Sequence, residues 1–189
     1  MNPSPNLNHS RSWLQLGLRY DRESDRIQLL LADKERWSLE IQLTRRITRR
    51  LLVALVNLLA RSNPILRRAP AGVRLEVIVL EHLGALSGHS LTTQSRPPAQ
   101  VSAPSDFVCA RSVVATVINV RALPDSFSLR IGEADKPDAE IKLSRTDLHR
   151  LLAVLDRHAE KAEWNLQAET GWLGKTAHVM QPKHSDWTS

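Results

Sequence analysis

The chain has 189 residues, of which 42% are hydrophobic and 24% are charged, a composition typical of an ordinary soluble globular protein. Its single cysteine excludes an intramolecular disulfide, and its longest apolar run, Leu51–Ala60, is half as long as a membrane-spanning helix. The first ten residues are polar and do not resemble a secretory signal, so we expect a cytoplasmic location and no membrane span.

The positive charge is concentrated in the first part of the chain. The net charge is +6, and residues 1–70 hold 13 Lys and Arg against 6 Asp and Glu, whereas residues 71–189 hold 13 against 14. Such asymmetry is typical of a surface that binds polyanions or an acidic partner. A solvated basic face without a ligand is the alternative interpretation.

An internal repeat organises the sequence. Residues 13–80 are echoed by residues 113–180 at a constant offset of 100, without a gap. We interpret the echo as a duplicated module. A module of this size buries only a thin core, so we expect the two copies to share a surface or to recruit a partner chain. The identical pairs in the best-matched window are Glu40/Glu140, Ile41/Ile141, Leu43/Leu143, Arg45/Arg145, Arg50/Arg150, Leu51/Leu151, Leu52/Leu152 and Leu55/Leu155.

Each copy opens with three segments in which apolar and polar residues alternate. A period of two residues predicts strands with one buried face, and short polar turns separate the three segments. A sheet with one apolar face needs a cover on that face. The segments are 14–20, 27–31 and 37–43 in the first copy, and 114–120, 127–131 and 139–143 in the second.

A helix is predicted after the third strand of each copy. Thr44 and Ser144 stand at the N-cap positions, and Ser144 with Asp147 resembles a capping box. The second helix is apolar on one face only, which predicts packing on its own sheet. We place His149 on the opposite face, where a lone histidine is usually solvated. The apolar face consists of Leu148, Leu151, Leu152, Leu155 and Ala159.

The first helix is apolar on more than one face. Val56 stands where the second copy has Asp156, and Leu58 stands where it has His158. A helix that is apolar nearly all round is usually buried on more than one side, so this excess predicts a contact with the second module or with another chain. The residues assigned to this partner interface are Val53, Val56, Leu58 and Leu59.

Four arginines crowd the first two turns of the first helix, where the helix dipole disfavours positive charge. Arg45 and Arg50 recur in the second copy, as does Glu40, which favours structural ion pairs for those two arginines. Arg46 and Arg49 have no counterpart and are better candidates for a binding role. The candidates for contact with a polyanion or an acidic partner are Arg46, Arg49, Arg61, Arg67 and Arg68.

The predicted fold class is α+β, a tandem duplication of a small βββαβ module in which a helix covers one face of an antiparallel sheet, with a pseudo-two-fold arrangement of the copies. The fourth strand of the module is predicted at 73–79, with a weaker counterpart at 177–180. In chain order we expect a flexible N-terminal tail at 1–12, a first module at 13–86, a Pro/Ser/Thr linker at 87–106, a second module at 107–181 and a C-terminal tail at 182–189.

The motifs of known chemistry are missing from the sequence. The seven histidines lack metal-ligand spacing, and Gly171–Thr176 lacks the spacing of a phosphate-binding loop. We therefore expect no cofactor, no metal, no small-molecule ligand and no enzymatic activity. The favoured function is that of a protein–protein interaction module, as an adaptor, assembly factor or regulatory subunit. It would use the first helix to contact a second copy of this chain or another protein. The alternatives are sequence-independent nucleic-acid binding through the arginines, and an enzyme with a cleft between the modules.

Overall fold

The computed structural model describes residues 15–32, 38–63, 67–87, 109–133 and 137–166. Within these residues the fold is α+β, with two sheets and three helices. The predictions for a strand at 177–180 and for the two tails lie outside the described residues, as does most of the linker. The elements are β1 Gln15–Asp21, β2 Arg26–Ala32, β3 Ser38–Leu43, α1 Arg45–Ser62, α2 Ala71–Leu86, β4 Cys109–Val114, β5 Val117–Ala122, β6 Phe127–Gly132, β7 Pro137–Leu143 and α3 Arg145–Lys161.

The first sheet has the strand order β1-β2-β3-β4. The first three strands are antiparallel neighbours, as the alternating pattern predicts, and Leu29 lies opposite Ile41 on the buried face. The fourth strand is parallel to β3, because the chain crosses over through α1 and α2 before it returns to the sheet.

The second sheet has the order β5-β6-β7, and its last two strands pair as β2 and β3 do. Leu129 lies opposite Ile141, which is the register of Leu29 and Ile41 at an offset of 100. The outer strand departs from that offset, because Ile118 faces Ile131 while Leu16 faces Leu31. The prediction of an echo without a gap is therefore wrong at β5, which is shifted by two residues. A shift of two keeps every side chain on its own face of the sheet.

Two predicted strands differ in the structure. The segment at 114–120 is not one strand, because β4 ends in the first sheet and β5 begins in the second. Ala115 N–H donates to Gln42 O and Thr116 N–H donates to Gly132 O, each at 2.9 Å, so the chain passes between the sheets within two residues. The fourth strand of the predicted module is also wrong, because residues 73–79 lie in α2.

The helices begin where the N-caps are predicted. Thr44 Oγ1 accepts a hydrogen bond from Ile47 N–H, and Ser144 forms a capping box with Asp147, so both predictions are confirmed. The predicted packing of each helix on its own sheet is wrong. Helix α1 packs mainly against β5 of the second sheet, and α3 packs against β1 and β2 of the first.

One hydrophobic core results from this exchange of helices, and it contains residues of both sheets, α1 and α3. The end of α3 is also tied to the first sheet. The ring of Trp164 meets Tyr20 edge to face at 6.1 Å between centroids, and its Nε1–H donates to Asp25 Oδ1 at 2.9 Å. Tyr20 donates its hydroxyl proton to the same oxygen at 2.8 Å.

Candidate interaction surface

Helix α2 carries apolar side chains on its solvent side as well as on its packed side. Ile78, His82 and Ala85 are buried. In the described part of the chain the helices that α2 packs against are α3 and, to a smaller extent, α1. The large apolar residues that α2 exposes are Val73 at 45% exposure, Leu75 at 45%, Leu80 at 66% and Leu86 at 50%. At 100° per residue, Val73 and Leu80 lie opposite the packed side, while Leu75 and Leu86 lie along one edge of it. We call these four residues the α2 patch.

The packed side of α2 is held by the guanidinium group of Arg145, which belongs to α3. Its Nη2 lies 2.7 Å from Glu81 Oε2, and its Nη1 donates to Ser62 Oγ at 2.7 Å. The same Nη2 donates to Leu59 O, one of the carbonyls at the end of α1, at 3.1 Å. One side chain thus joins all three helices. Arg150 adds a bond from Nε to Ala85 O at 3.3 Å.

Two buried histidines meet beside this ion pair. Nδ1 of His82 lies 3.3 Å from Nδ1 of His149, and both side chains are 2% exposed. On the other edge of the ring, His149 Nε2 is 3.6 Å from Glu81 Oε2. That distance exceeds a hydrogen bond, so Arg145 is the stronger of the two partners of Glu81. The prediction that His149 is solvated is wrong, because α2 covers it.

The surroundings shift the proton equilibria of this cluster. Burial alone would raise the pKa of the Glu81 carboxyl, but His149 and Arg145 outweigh it and lower the pKa from 4.5 to about 2. Burial lowers the pKa of His82, the charge of His149 lowers it as well, and together they bring it from 6.5 to about 4. At neutral pH, Glu81 is therefore ionised and His82 is neutral.

No sequence pattern assigns Glu81, His82, Arg145 or His149 to a site. The available signal is local, since Glu81 and His82 are the ionisable residues within the apolar run 77–86. Charged residues in such a run are rarely buried unless they have partners. The sequence does not identify the partners, because they come from α3, more than sixty residues away.

The four apolar residues assigned to α1 do not form one exposed surface. Leu59 is 0% exposed and belongs to the core, while Val56 and Leu58 are half-buried and pack against it. Val53, at 37% exposure, is the exception. Helix α1 packs against β5 and α3 of the second half of the chain, and Val56 and Leu58 pack against the common core.

The five candidate arginines are all exposed, but they form two groups. Arg46 and Arg49 lie at the start of α1, and Arg61 lies in its last turn, about 18 to 22 Å away along the helix axis. Arg67 and Arg68 follow the end of α1 and precede α2. Arg67 and Arg68 therefore border the start of α2, whereas Arg46 and Arg49 lie at the far end of α1.

The expected ion pairs between Glu40 and the recurring arginines of α1 are replaced by pairs within the sheets. Glu40 Oε2 is 3.4 Å from Arg19 Nη2, and its Oε1 accepts a bond from Ser112 at 2.9 Å. In the second sheet, Glu140 lies 3.7 Å from Arg130. These carboxylates join neighbouring strands within each sheet.

A shallow cavity of about 240 Å³ lies at the end of α3, where Asp156, Glu160 and Glu163 supply acidic groups. Among the described residues, three or more His, Cys, Asp or Glu side chains do not converge in a way that could hold a metal ion. The described helices include none that is long and apolar enough to cross a membrane. Comparison of the chain with protein-family models, with curated proteins and with solved structures gives no match.

Proposed function

We propose that this protein is a non-enzymatic protein–protein interaction module, as an adaptor, assembly factor or regulatory subunit, and that the α2 patch is its docking surface. The observation that carries the proposal is the exposure of Leu80, 66% in the middle of a helix that also exposes Val73, Leu75 and Leu86. Contiguous apolar patches on a protein surface usually mark interaction sites.

The charges around the patch indicate the chemistry of the partner. Arg67, Arg68 and Arg74 are exposed at the start of α2, Arg61 is exposed in the last turn of α1, and Glu76 is an exposed carboxylate on α2. Glu81 is already neutralised by Arg145. We therefore expect a partner protein that presents an apolar helix or strand to the α2 patch and acidic side chains to the arginines around it.

In this proposal α1 is the scaffold, and the docking surface lies on the next helix. Leu59, Val56 and Leu58 stabilise the contact between the two sheets, so they act on binding only through the fold. Val53 is the apolar candidate of α1 that a partner could still reach.

We also infer that the chain arose by duplication of a βββα unit, with the two copies related by a pseudo-two-fold axis. Three observations support this inference: the common register of β2–β3 and β6–β7, the caps Thr44 and Ser144, and the reciprocal packing of α1 on β5 and of α3 on β1. Helix α2 then belongs to the first copy and packs on the second.

Nucleic-acid binding is the second candidate function, because all five candidate arginines are exposed. Their division into two groups argues against one continuous phosphate-binding surface. The third possibility, an enzyme with a cleft between the modules, has no observation in its favour, since the cavity described above lies at the end of α3.

The proposal is tested by Leu80→Asp, with Leu123→Asp as the matched control. Leu123 is an exposed apolar residue in the β5–β6 connection, at 37% exposure. A candidate captured from a lysate of the native host by the wild-type protein is purified, and its dissociation constant is measured with each variant by calorimetry. We expect Leu80→Asp to weaken binding by about 30-fold or more, the effect of removing an interface hot spot, and Leu123→Asp to leave it unchanged.

Equal affinities for the two variants would remove the α2 patch as the docking surface. Sedimentation of the purified protein tests whether a second copy of this chain, instead of a different protein, binds to the α2 patch. A dimer that Leu80→Asp converts to monomers would mean that the patch contacts a second copy, and the proposed partner of different sequence would then be wrong.

A further inference from the structure

The contact between His82 and His149 depends on how many protons the two rings carry. Two ring nitrogens 3.3 Å apart form a hydrogen bond only if one of them carries a proton and the other accepts it. Both side chains are buried, so water cannot separate the rings without a movement of the helices. The contact is thus compatible with one shared proton and incompatible with two.

We propose that His82 and His149 form a one-proton latch, which holds α2 on α3 while the facing nitrogens share a single proton and releases α2 when a second proton enters. Two protonated rings would place two N–H donors against each other at the buried contact. Separation of α2 from α3 is the movement that lets water reach both rings.

In the described part of the chain, the charged groups that face the latch from each helix already have partners of their own. On α2, Glu81 is bound to Arg145, and His149 Nε2 is already 3.6 Å from the same carboxylate oxygen. On α3, Arg150 lies 3.7 Å from Asp147 and donates to Ala85 O. Helix α1 and the residue after it contribute neutral groups, through Ser62 Oγ and the side-chain amide of Asn63, which donates to Glu81 at 3.4 Å.

The low pKa of His82, about 4 in the folded protein against 6.5 when the ring is exposed, gives the direction of the effect. A depressed pKa means that the latch contributes its full stability above pH 6.5 and loses it as the pH falls toward 4. Between those values the opening equilibrium of α2 should shift by roughly tenfold for each pH unit.

This latch regulates the docking surface, and that consequence rests on the proposed function. Release of α2 removes the α2 patch from its fixed place against α3, so a partner that needs the docked helix would bind less tightly in acid. The latch itself can be measured without any partner, which keeps its failure separate from a failure of the proposed docking surface.

The test is hydrogen exchange of the α2 peptide, residues 71–86, measured by mass spectrometry between pH 7 and pH 4.5 and corrected for the intrinsic exchange rate. The peptide of β2 and β3, residues 26–43, serves as the internal reference. We compare the wild type with His82→Gln, because glutamine can still accept a hydrogen bond from His149 but does not titrate. His158→Gln is the control, since His158 is a half-buried histidine near the other end of α3.

We expect the wild type and His158→Gln to lose protection of α2 below pH 6.5 by roughly tenfold for each pH unit, while the reference peptide stays protected. His82→Gln should keep α2 protected over the whole range. Loss of protection in His82→Gln with the same pH dependence as the wild type would overturn the latch.

A second measurement covers the case in which His82→Gln does not fold. The chemical shifts of the histidine ring carbons in the wild type are measured by NMR as the pH is lowered. The latch requires one ring of the buried pair to stay neutral until well below pH 6. If both rings become protonated above pH 6 while α2 stays in place, the proposal is wrong.

Discussion

At the scale of single residues, Leu51 and Leu151 provide the sharpest test of the internal equivalence. They are 1% and 3% exposed, and each lies in the second turn of its helix after a hydroxyl N-cap. Replacement of either residue by Ala should lower the free energy of unfolding by about 2–5 kcal/mol, because each change leaves a cavity in the common core.

Urea denaturation measures this loss, and Val53→Ala is the matched control on the exposed side of α1. We expect the control to change stability by about 0.5 kcal/mol or less, as surface substitutions usually do. A change near zero for Leu51→Ala or for Leu151→Ala would contradict the equivalence at that position.

Residue patterns in the sequence identify which faces are apolar, but they do not identify what covers those faces. The positions of Thr44 and Ser144 are predicted correctly, because a cap depends on atoms three residues away. His149 is predicted wrongly, since its burial depends on α2, which lies more than sixty residues earlier in the chain. Local rules therefore predict the helix starts and miss the polar cluster.

At the scale of elements, α2 shows where the pattern itself is ambiguous. An apolar run with β-branched residues and turn signals at its ends is compatible with a buried strand or with a buried helix, and periodicity alone does not separate them. The length of the run, 16 residues in the structure, favours the helix. The prediction of one strand at 114–120 is wrong for a different reason. The alternation of apolar and polar residues continues through Ala115 and Thr116, which pass from one sheet to the other.

The basic start of α1 is the element that the nucleic-acid alternative depends on. If it contacts phosphates, Arg46→Glu with Arg49→Glu should abolish retention on heparin. The slope of the logarithm of the duplex-binding constant against the logarithm of the salt concentration should also decrease in magnitude by about two, one for each lost phosphate contact. The matched control is Arg121→Glu with Arg157→Glu, two exposed arginines in the second half of the chain.

The melting temperature should not fall in either double variant, since the four side chains are exposed and the helix dipole favours glutamate near the start of α1. Equal elution from heparin for the two double variants would leave the start of α1 as a general positive surface. The nucleic-acid alternative would then lose the residues that it needs.

At the scale of the whole molecule, the exchange of helices makes the two halves dependent on each other. Helix α1 supplies the cover of the second sheet, α3 supplies the cover of the first, and the chain between α2 and β4 returns to the first sheet before the second begins. Neither half can bury its apolar sheet face alone. We therefore expect the molecule to unfold in one cooperative transition, as small domains with a single core do.

The apolar excess of α1 allows this dependence to be tested with residues that the chain itself uses elsewhere. Val56→Asp with Leu58→His installs the side chains of Asp156 and His158, which α3 carries at the corresponding positions. Val56 and Leu58 are half-buried and pack against the common core, so the polar replacements should lower the free energy of unfolding by about 1–3 kcal/mol.

Because α1 is covered within its own chain, the double variant should have the same mass in sedimentation as the wild type. The urea midpoint should decrease for both sheets together, which tryptophan fluorescence and far-ultraviolet circular dichroism can follow in one experiment. A wild-type dimer that the substitutions dissociate would show instead that this side of α1 contacts a second chain. In that case the interface lies on α1, and the α2 patch needs a different explanation.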